Sequence, residues 1–234
     1  MGPYLIALLV AVFLACGLRL RIIIHYLMAK PAPNPWLDGL RNGLMATFFG
    51  LLMLFLAVYL LKVLPRQWRR QPLLRQQLRR LALLASGVIA VNLISENLAI
   101  YRLNLESYSL LLESLSLYIS VTLVFMVWYW YVDQPPRWLV KDQEDRARQT
   151  SGLIMPYGIV FPEEVMEREI QYSDAWMPSF IDYFYFTILC SNCFGPPEGH
   201  ALVGSAMKKL HILHSLSMIS VFIVILARAI NTLS

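Results

Sequence analysis

Charged residues are scarce in this chain of 234 residues: Asp, Glu, Lys and Arg make up 15% of it, while 58% of the residues are hydrophobic. A soluble domain averages about 25% charged and about 45–50% apolar residues. The longest polar stretch, residues 133–177, leaves no evident soluble domain. The composition therefore predicts an all-α integral membrane protein.

Cysteines and catalytic signatures are also few or missing. Three cysteines do not make a disulfide framework. The sequence has no G-x-S-x-G, P-loop or H-E-x-x-H motif, so we predict no catalytic residues and no enzyme. The net charge of +5 comes mainly from one short loop, which gives no indication of a nucleic-acid partner.

Apolar runs of near-spanning length occur along the chain, and a bilayer needs about 20 such residues. They lie at 4–28, 40–64, 81–103, 109–132 and 203–232. The second half of 81–103 is polar, so the sequence predicts four to five transmembrane helices. We divide the chain into an N-terminal helical membrane region, 1–103, and a second region, 104–234.

The loop 62–80 carries the strongest topological signal, because it holds seven Lys or Arg and no acidic residue. The positive-inside rule predicts that it is cytoplasmic. If 81–103 and 109–132 both cross, the polar loop 133–177 returns to the cytoplasm, whereas a channel-like pore loop belongs outside. Two alternatives resolve this conflict: 81–103 does not cross fully, or 178–194 is itself a short span.

The stretch "IDYFYFTILCSNCFGPPEGH" (181–200) joins an aromatic helix to a short turn. Its "DYFYFT" resembles the start of a potassium-channel pore helix, and "SNCFG" falls where such a channel has its filter. The resemblance implies an outer helix 109–132, a re-entrant pore helix 178–190, a filter-like turn 191–195 and an inner helix 203–232. It places Asp182, Tyr183 and Phe184 in the pore helix, and Thr187, Ser191, Asn192, Cys193, Phe194 and Gly195 in or beside the filter.

Three departures from the channel filter set the expected selectivity. Cys193 stands where the first filter glycine belongs, and that glycine permits a left-handed backbone that cysteine disfavours. Asn192 replaces a valine, and Pro196 replaces an aspartate. We therefore expect a monovalent cation pore that is not selective for potassium, built from several copies because one two-helix unit cannot enclose a conduit.

The C-terminal part, about 155–234, also resembles a family of uncharacterised bacterial multi-spanning membrane proteins. The matching residues are Phe161, Pro162, Asp182 to Thr187 and the run "AMKKLHILHSLSMISVFIVILARAIN" (206–231). The resemblance implies a fold distantly similar to channel pore domains and a location in the bacterial inner membrane. It implies no activity, so a non-conducting scaffold or accessory subunit of a membrane complex is the alternative function.

A metal-binding membrane protein is the second alternative. Cys190 and Cys193 form a C-x-x-C pair, and His211 and His214 lie on one helix face. Two thiolates and two imidazoles would suit tetrahedral zinc. A haem would need histidines on two transmembrane helices. His25 could supply one of them and His211 or His214 the other, but nothing else in the sequence supports a haem site.

Overall fold

The computed structural model of the chain is mostly helical, as the composition predicts, and it adds one small sheet. It describes residues 2–29, 43, 47, 50, 71–99, 107–147, 158–164 and 176–233. The helices are α1 (Gly2–Ala29), α2 (Gln71–Ala99), α3 (Ser107–Ala147), α4 (Phe180–Cys193) and α5 (Ser205–Leu233). The strands β1 (Gly158–Val160) and β2 (Ala201–Val203) pair antiparallel, with Ile159 opposite Leu202.

Three of the described helices are long and apolar enough to cross a membrane. The spanning stretches are Arg75–Ile94 in α2, Leu112–Gln134 in α3 and Ser205–Ala227 in α5. A shorter apolar stretch, Gly2–Leu18, lies in α1. The predicted span 40–64 falls outside the described residues, apart from Gly43, Thr47 and Gly50. The chain therefore carries the helices of a membrane protein.

The chain divides into two compact units, the first of which comprises residues 1–120 and 223–234. Its core is built from α1 and α2, which present Ala11 and Ala15 on one helix and Ala82 and Ala85 on the other, all buried. Small side chains let two helices approach closely in a membrane. At this contact the buried amide of Asn92 donates a hydrogen bond to the Ala15 carbonyl at 2.6 Å.

The second unit, residues 121–222, contains the continuation of α3, both strands, α4 and most of α5. Each helix contributes a buried stripe at helical spacing. The largest fully buried side chains of the unit are Met126, Tyr129, Ile159, Phe161, Tyr183, Phe186 and Met207. Phe161, just after β1, is in ring contact with Trp176, Tyr183, Phe186 and His200.

The observed bounds differ from the predicted ones mainly at the end of α3. The predicted outer helix ends at 132 and a loop follows, but α3 continues to Ala147. Apolar composition marked the end of the span rather than the end of the helix, because a helix can continue beyond its apolar part. The helix predicted at 178–190 is found at Phe180–Cys193, and the one predicted at 203–232 is found at Ser205–Leu233.

Candidate functional site

The helix α4 has a defined start and a defined end. At its start the Ser179 N–H donates to Asp182 Oδ2 at 2.6 Å, which satisfies one backbone group that the helix itself leaves unpaired. At its end Phe194 has the left-handed conformation, φ 56° and ψ 11°, and its N–H donates to the Cys190 carbonyl at 3.1 Å. Because α4 runs through Cys193, residues 191–193 of the filter-like turn 191–195 are helical, which corrects the predicted bounds of that turn.

The left-handed residue is also not the predicted one. The comparison with a channel filter placed the demand for a left-handed backbone at Cys193, where a cysteine would be disfavoured. Cys193 is helical, and Phe194 is the one non-glycine residue with a positive φ in the part of the chain that the structure describes. The strain therefore lies one residue later, at an aromatic side chain.

The two faces of α4 differ in burial. One face is buried and holds Tyr183, Phe186, Thr187, Cys190 and Ser191. The opposite face exposes Tyr185 and, at its C-terminal end, Asn192 and Cys193, while Phe184 is half-buried. The predicted filter residues are thus divided, with Thr187 and Ser191 inside the unit and Asn192, Cys193 and Phe194 on its surface.

A hydrogen-bonded group of side chains connects α3, α4 and α5 inside the unit. The Tyr129 hydroxyl lies 3.0 Å from His211 Nδ1 and 3.1 Å from His214 Nδ1. His214 Nε2 lies 3.1 Å from Ser191 Oγ, which in turn lies 3.1 Å from Thr122 Oγ1. We call this group the histidine network: His211, Tyr129, His214, Ser191 and Thr122.

The histidine network is closed off by packing. Tyr129, His214 and Ser191 are fully buried, and Thr122 and His211 are exposed by 3% and 9%. The Phe125 ring stacks on His214 with centroids 4.5 Å apart, and Phe186 meets Tyr129 edge to face at 5.1 Å. These ring contacts and the hydrogen bonds together restrict the orientation of His214 and Tyr129.

A second polar contact lies one helical turn further along α3, at Asp133. Its Oδ2 accepts a short hydrogen bond from the Tyr183 hydroxyl, and its Oδ1 accepts one from the Ile159 N–H at 2.8 Å. Gln134 Nε2 donates to the same Tyr183 hydroxyl at 3.3 Å. The fully buried Asp133 therefore fixes both α4 and the strand β1 to α3.

The residues predicted as zinc ligands do not gather into one set. His211 and His214 both direct Nδ1 to Tyr129, and Cys193 is exposed while Cys190 is buried. Burial raises the pKa of the Cys190 thiol to about 12, which disfavours the thiolate that binds metals. Among the described residues no group of three or more His, Cys, Asp or Glu could hold a metal ion. The His25 side chain lies outside what the structure describes.

Sequence reasoning singled out three members of the histidine network but assigned them to different sites. His211 and His214 were zinc candidates and Ser191 was a filter residue, whereas the structure joins all three. The sequence does not single out Tyr129, because a tyrosine among tryptophans at the end of an apolar run is equally typical of a membrane interface. It does not single out Thr122 either. The available signal was the spacing of Thr122, Tyr129 and Asp133, which puts three polar side chains on one face of an apolar helix.

Comparisons of the chain with protein-family models, with curated proteins and with solved structures find no significant match. The resemblances to a bacterial membrane-protein family and to channel pore domains therefore stay predictions. The geometry of the second unit is what supports a function.

Proposed function

We propose that this protein lets a monovalent cation cross a membrane, and that α4 is a re-entrant pore helix. The observation that carries the proposal is where α4 ends relative to α3. Near its start, Tyr183 contacts Asp133 at one end of the stretch Leu112–Gln134. Near its C-terminus, Ser191 contacts Thr122, close to the middle of that stretch.

The length of α4 agrees with partial entry into the membrane. It has 14 residues, which at 1.5 Å each gives about 21 Å, against about 30 Å for the hydrocarbon core. A helix that runs beside the end of a span and stops near its middle enters the membrane without crossing it. The chain then turns at Phe194 and returns to β2, which pairs with β1 beside Asp133.

The end of α4 is suited to a cation. Its last turn holds no basic residue, and the unpaired carbonyls of a helix C-terminus carry a partial negative charge. The side chains of Asn192 and Cys193 are exposed there. A polar side chain at membrane depth is tolerated where it faces protein or water rather than lipid. An assembly of several copies around a shared axis would supply such a lining.

Flux through reconstituted protein tests the proposal. Purified chain in liposomes should pass at least one of K⁺, Na⁺ and H⁺ faster than protein-free liposomes, measured with entrapped fluorescent indicators. Asn192→Leu should reduce that flux because it removes the exposed amide at the end of α4. The matched control is Tyr185→Leu, two helical turns away on the same exposed face, which should leave the flux unchanged.

Two results would overturn the proposal. One is the absence of flux for all three cations from protein that elutes as a folded, monodisperse species. The other is equal loss of flux from the Asn192 and Tyr185 variants, because the end of α4 would then have no special part.

A non-conducting scaffold is the second candidate, and one observation favours it. Three of the five filter-like residues are helical, and Ser191 directs its side chain into the unit rather than towards a conduit. For a scaffold we expect no flux from the wild-type chain, and a larger membrane complex co-purifying with it in mild detergent.

A further inference from the structure

We infer that the histidine network is a proton relay, so that the cation handled by this protein is H⁺. The inference rests on the proposed function and names its substrate. It is carried by the hydrogen-bond geometry, in which every distance along the network is between 3.0 and 3.1 Å. Buried ionisable side chains within membrane helices are characteristic of proton pathways.

The donor count at Ser191 fixes the direction of the hydrogen bonds. Its hydroxyl donates to the Thr187 carbonyl at 2.8 Å, and a carbonyl can only accept. The one hydroxyl proton of Ser191 is thereby used. The bond to His214 must then have Nε2–H as donor, and the bond to Thr122 must have the Thr122 hydroxyl as donor.

The same count continues through Tyr129. A neutral His214 that carries its proton on Nε2 has a bare Nδ1, which accepts from the Tyr129 hydroxyl. Tyr129 has no second proton, so its oxygen accepts from His211, whose proton sits on Nδ1. The two histidines are therefore opposite tautomers, and the hydrogen bonds run head to tail from His211 to Ser191.

The free end of this order is His211 Nε2. The donor count leaves Nε2 with a lone pair and without a proton of its own. In the described part of the chain it is a buried nitrogen without a hydrogen-bond partner. The residue is 9% exposed and lies next to the surface of the unit. A bare imidazole nitrogen in this position is where a proton from water can enter.

Reversal of the order gives a second arrangement with the same number of protons. Ser191 then donates to His214 Nε2, His214 Nδ1–H donates to Tyr129, and Tyr129 donates to His211 Nδ1. His211 now carries its proton on Nε2.

One proton passes when the first order converts to the second. Water gives a proton to His211 Nε2, the His211 Nδ1 proton moves to Tyr129, and the Tyr129 proton moves to His214 Nδ1. Before this transfer the Thr122 hydroxyl turns its proton away from Ser191, so that its oxygen can accept. The His214 Nε2 proton then moves to Ser191, whose own proton turns from the Thr187 carbonyl to Thr122. The Thr122 hydroxyl gives its own proton to a water molecule that the proposed conduit would supply at this depth, so one proton enters, one leaves and no electron is transferred.

The surroundings favour H⁺ over larger cations along this path. Phe125 packs against His214 and Phe186 packs against Tyr129, and the five residues of the network are all buried, so the relay needs no water-filled path along its length. The other titratable side chain placed against Tyr129 is Cys190, and beyond it Asp133 is bound to Tyr183. Lys208 lies one turn before His211 but is exposed.

Replacement of Tyr129 by Phe tests the relay with little change of shape. The ring contact with Phe186 is kept, and the hydroxyl that joins the two histidines is lost. In proteoliposomes with a pH gradient, Tyr129→Phe should lower H⁺ flux by about tenfold or more, since a positioned proton-transfer group contributes about 10²–10⁴-fold. Tyr185→Phe, which removes an exposed hydroxyl from α4, should match wild type.

The outcomes separate this inference from the proposed function. Flux of K⁺ or Na⁺ that Tyr129→Phe leaves intact, without any H⁺ flux, would keep the proposed function and overturn the relay. Absence of flux for every cation would overturn both. As a control for folding, the melting temperature of Tyr129→Phe in detergent should stay within a few degrees of wild type. Thr122→Val, which removes the last hydroxyl of the relay, should also lower H⁺ flux.

The tautomers provide a readout that does not depend on flux. ¹⁵N NMR of histidine-labelled protein should show the rings of all four histidines, among which His211 carries its proton on Nδ1 and His214 carries its proton on Nε2. The signals lost in His211→Gln and in His214→Gln should identify these two rings, the first as Nδ1–H and the second as Nε2–H. The same tautomer in both of these rings, or the reverse assignment at rest, would contradict the derived order.

Discussion

Asp133 is the residue on which the contacts around the two strands converge. Its carboxylate accepts from the Ile159 N–H and from the Tyr183 hydroxyl, and it is fully buried. The strand β1 can approach the Asp133 carboxylate this closely because Gly158 has no side chain. Gly158 also has φ +99°, a conformation that L side chains rarely adopt.

Gly158→Ala should destabilise the protein more than Gly204→Ala. A methyl group at 158 would overlap the Asp133 carboxylate oxygen, whereas one at 204 meets no atom within 4 Å. Both glycines have positive φ, so backbone strain of about 1–3 kcal/mol is common to the two variants. Melting in detergent, followed by the monodisperse fraction after heating, should show the larger loss at 158. Equal losses of stability in the two variants would mean that backbone strain alone destabilises them and that the overlap with Asp133 adds nothing.

Single residues were the part of the site that the sequence predicted least well. His211, His214 and Ser191 stood out by residue type, but their shared partner Tyr129 did not, because an aromatic residue near the end of a span fits a membrane interface equally well. Hydrogen bonds between Tyr129 on α3 and residues 82 and 85 positions later depend on helix packing, which spacing along one helix does not reveal.

At the scale of the elements, the end of α4 is held in place by contacts of the residue that terminates the helix. Phe194 holds a left-handed backbone that glycine adopts freely, and two contacts keep it there. Its ring meets Phe222 edge to face at 5.5 Å, and its carbonyl accepts from the Ser215 hydroxyl at 3.1 Å. Both contacts join the end of α4 to α5.

Phe194→Ala should be less stable than Phe194→Gly by about 1–2 kcal/mol. Both variants lose the ring contact with Phe222, but only alanine keeps a Cβ in the left-handed conformation. Chemical denaturation in detergent, monitored by tryptophan fluorescence, measures the difference. If alanine were as stable as glycine, the turn at 194 would have relaxed out of the left-handed region.

Helix ends near the predicted pore were predicted from sequence to within three residues, and the reason is local chemistry. Ser179 with Asp182 marks the start of α4, and Pro196 and Pro197 end the helical run. The extension of α3 to Ala147 was missed because it has no apolar signal. The two-stranded sheet was missed because three-residue strands carry no periodicity.

For the whole molecule, helix lengths favour one membrane topology. The stretches in α2 and α3 have 20 and 23 residues and can each cross, whereas α4 cannot. If loop 62–80 is cytoplasmic, as the sequence predicts, and both stretches cross, we expect the entry of α4 and the start of α5 on the cytoplasmic side. Lys208 and Lys209, exposed in the first turns of α5, agree with the positive-inside rule. This arrangement differs from both alternatives that the sequence offered.

Cysteine accessibility in cells tests this topology. In a Cys193→Ser background, Glu198→Cys should resist a membrane-impermeant maleimide in intact cells and react after permeabilisation, since Glu198 is exposed on the turn after α4. Asn104→Cys, between α2 and α3, should react in intact cells and serves as the opposite control. Reaction at 198 from outside would place the entry of α4 on the external side.

The head-to-tail order of the histidine network has an electrical consequence. Hydrogen bonds that all point one way add their dipoles, and the reversed order has the opposite dipole. A membrane voltage would stabilise one order over the other in proportion to the component of these dipoles along the membrane normal. A full charge moved across the whole bilayer changes energy by about 2.3 kcal/mol per 100 mV, and reversal within part of the bilayer by less. The resting voltage of the cell would thus set which end of the network is ready to accept a proton.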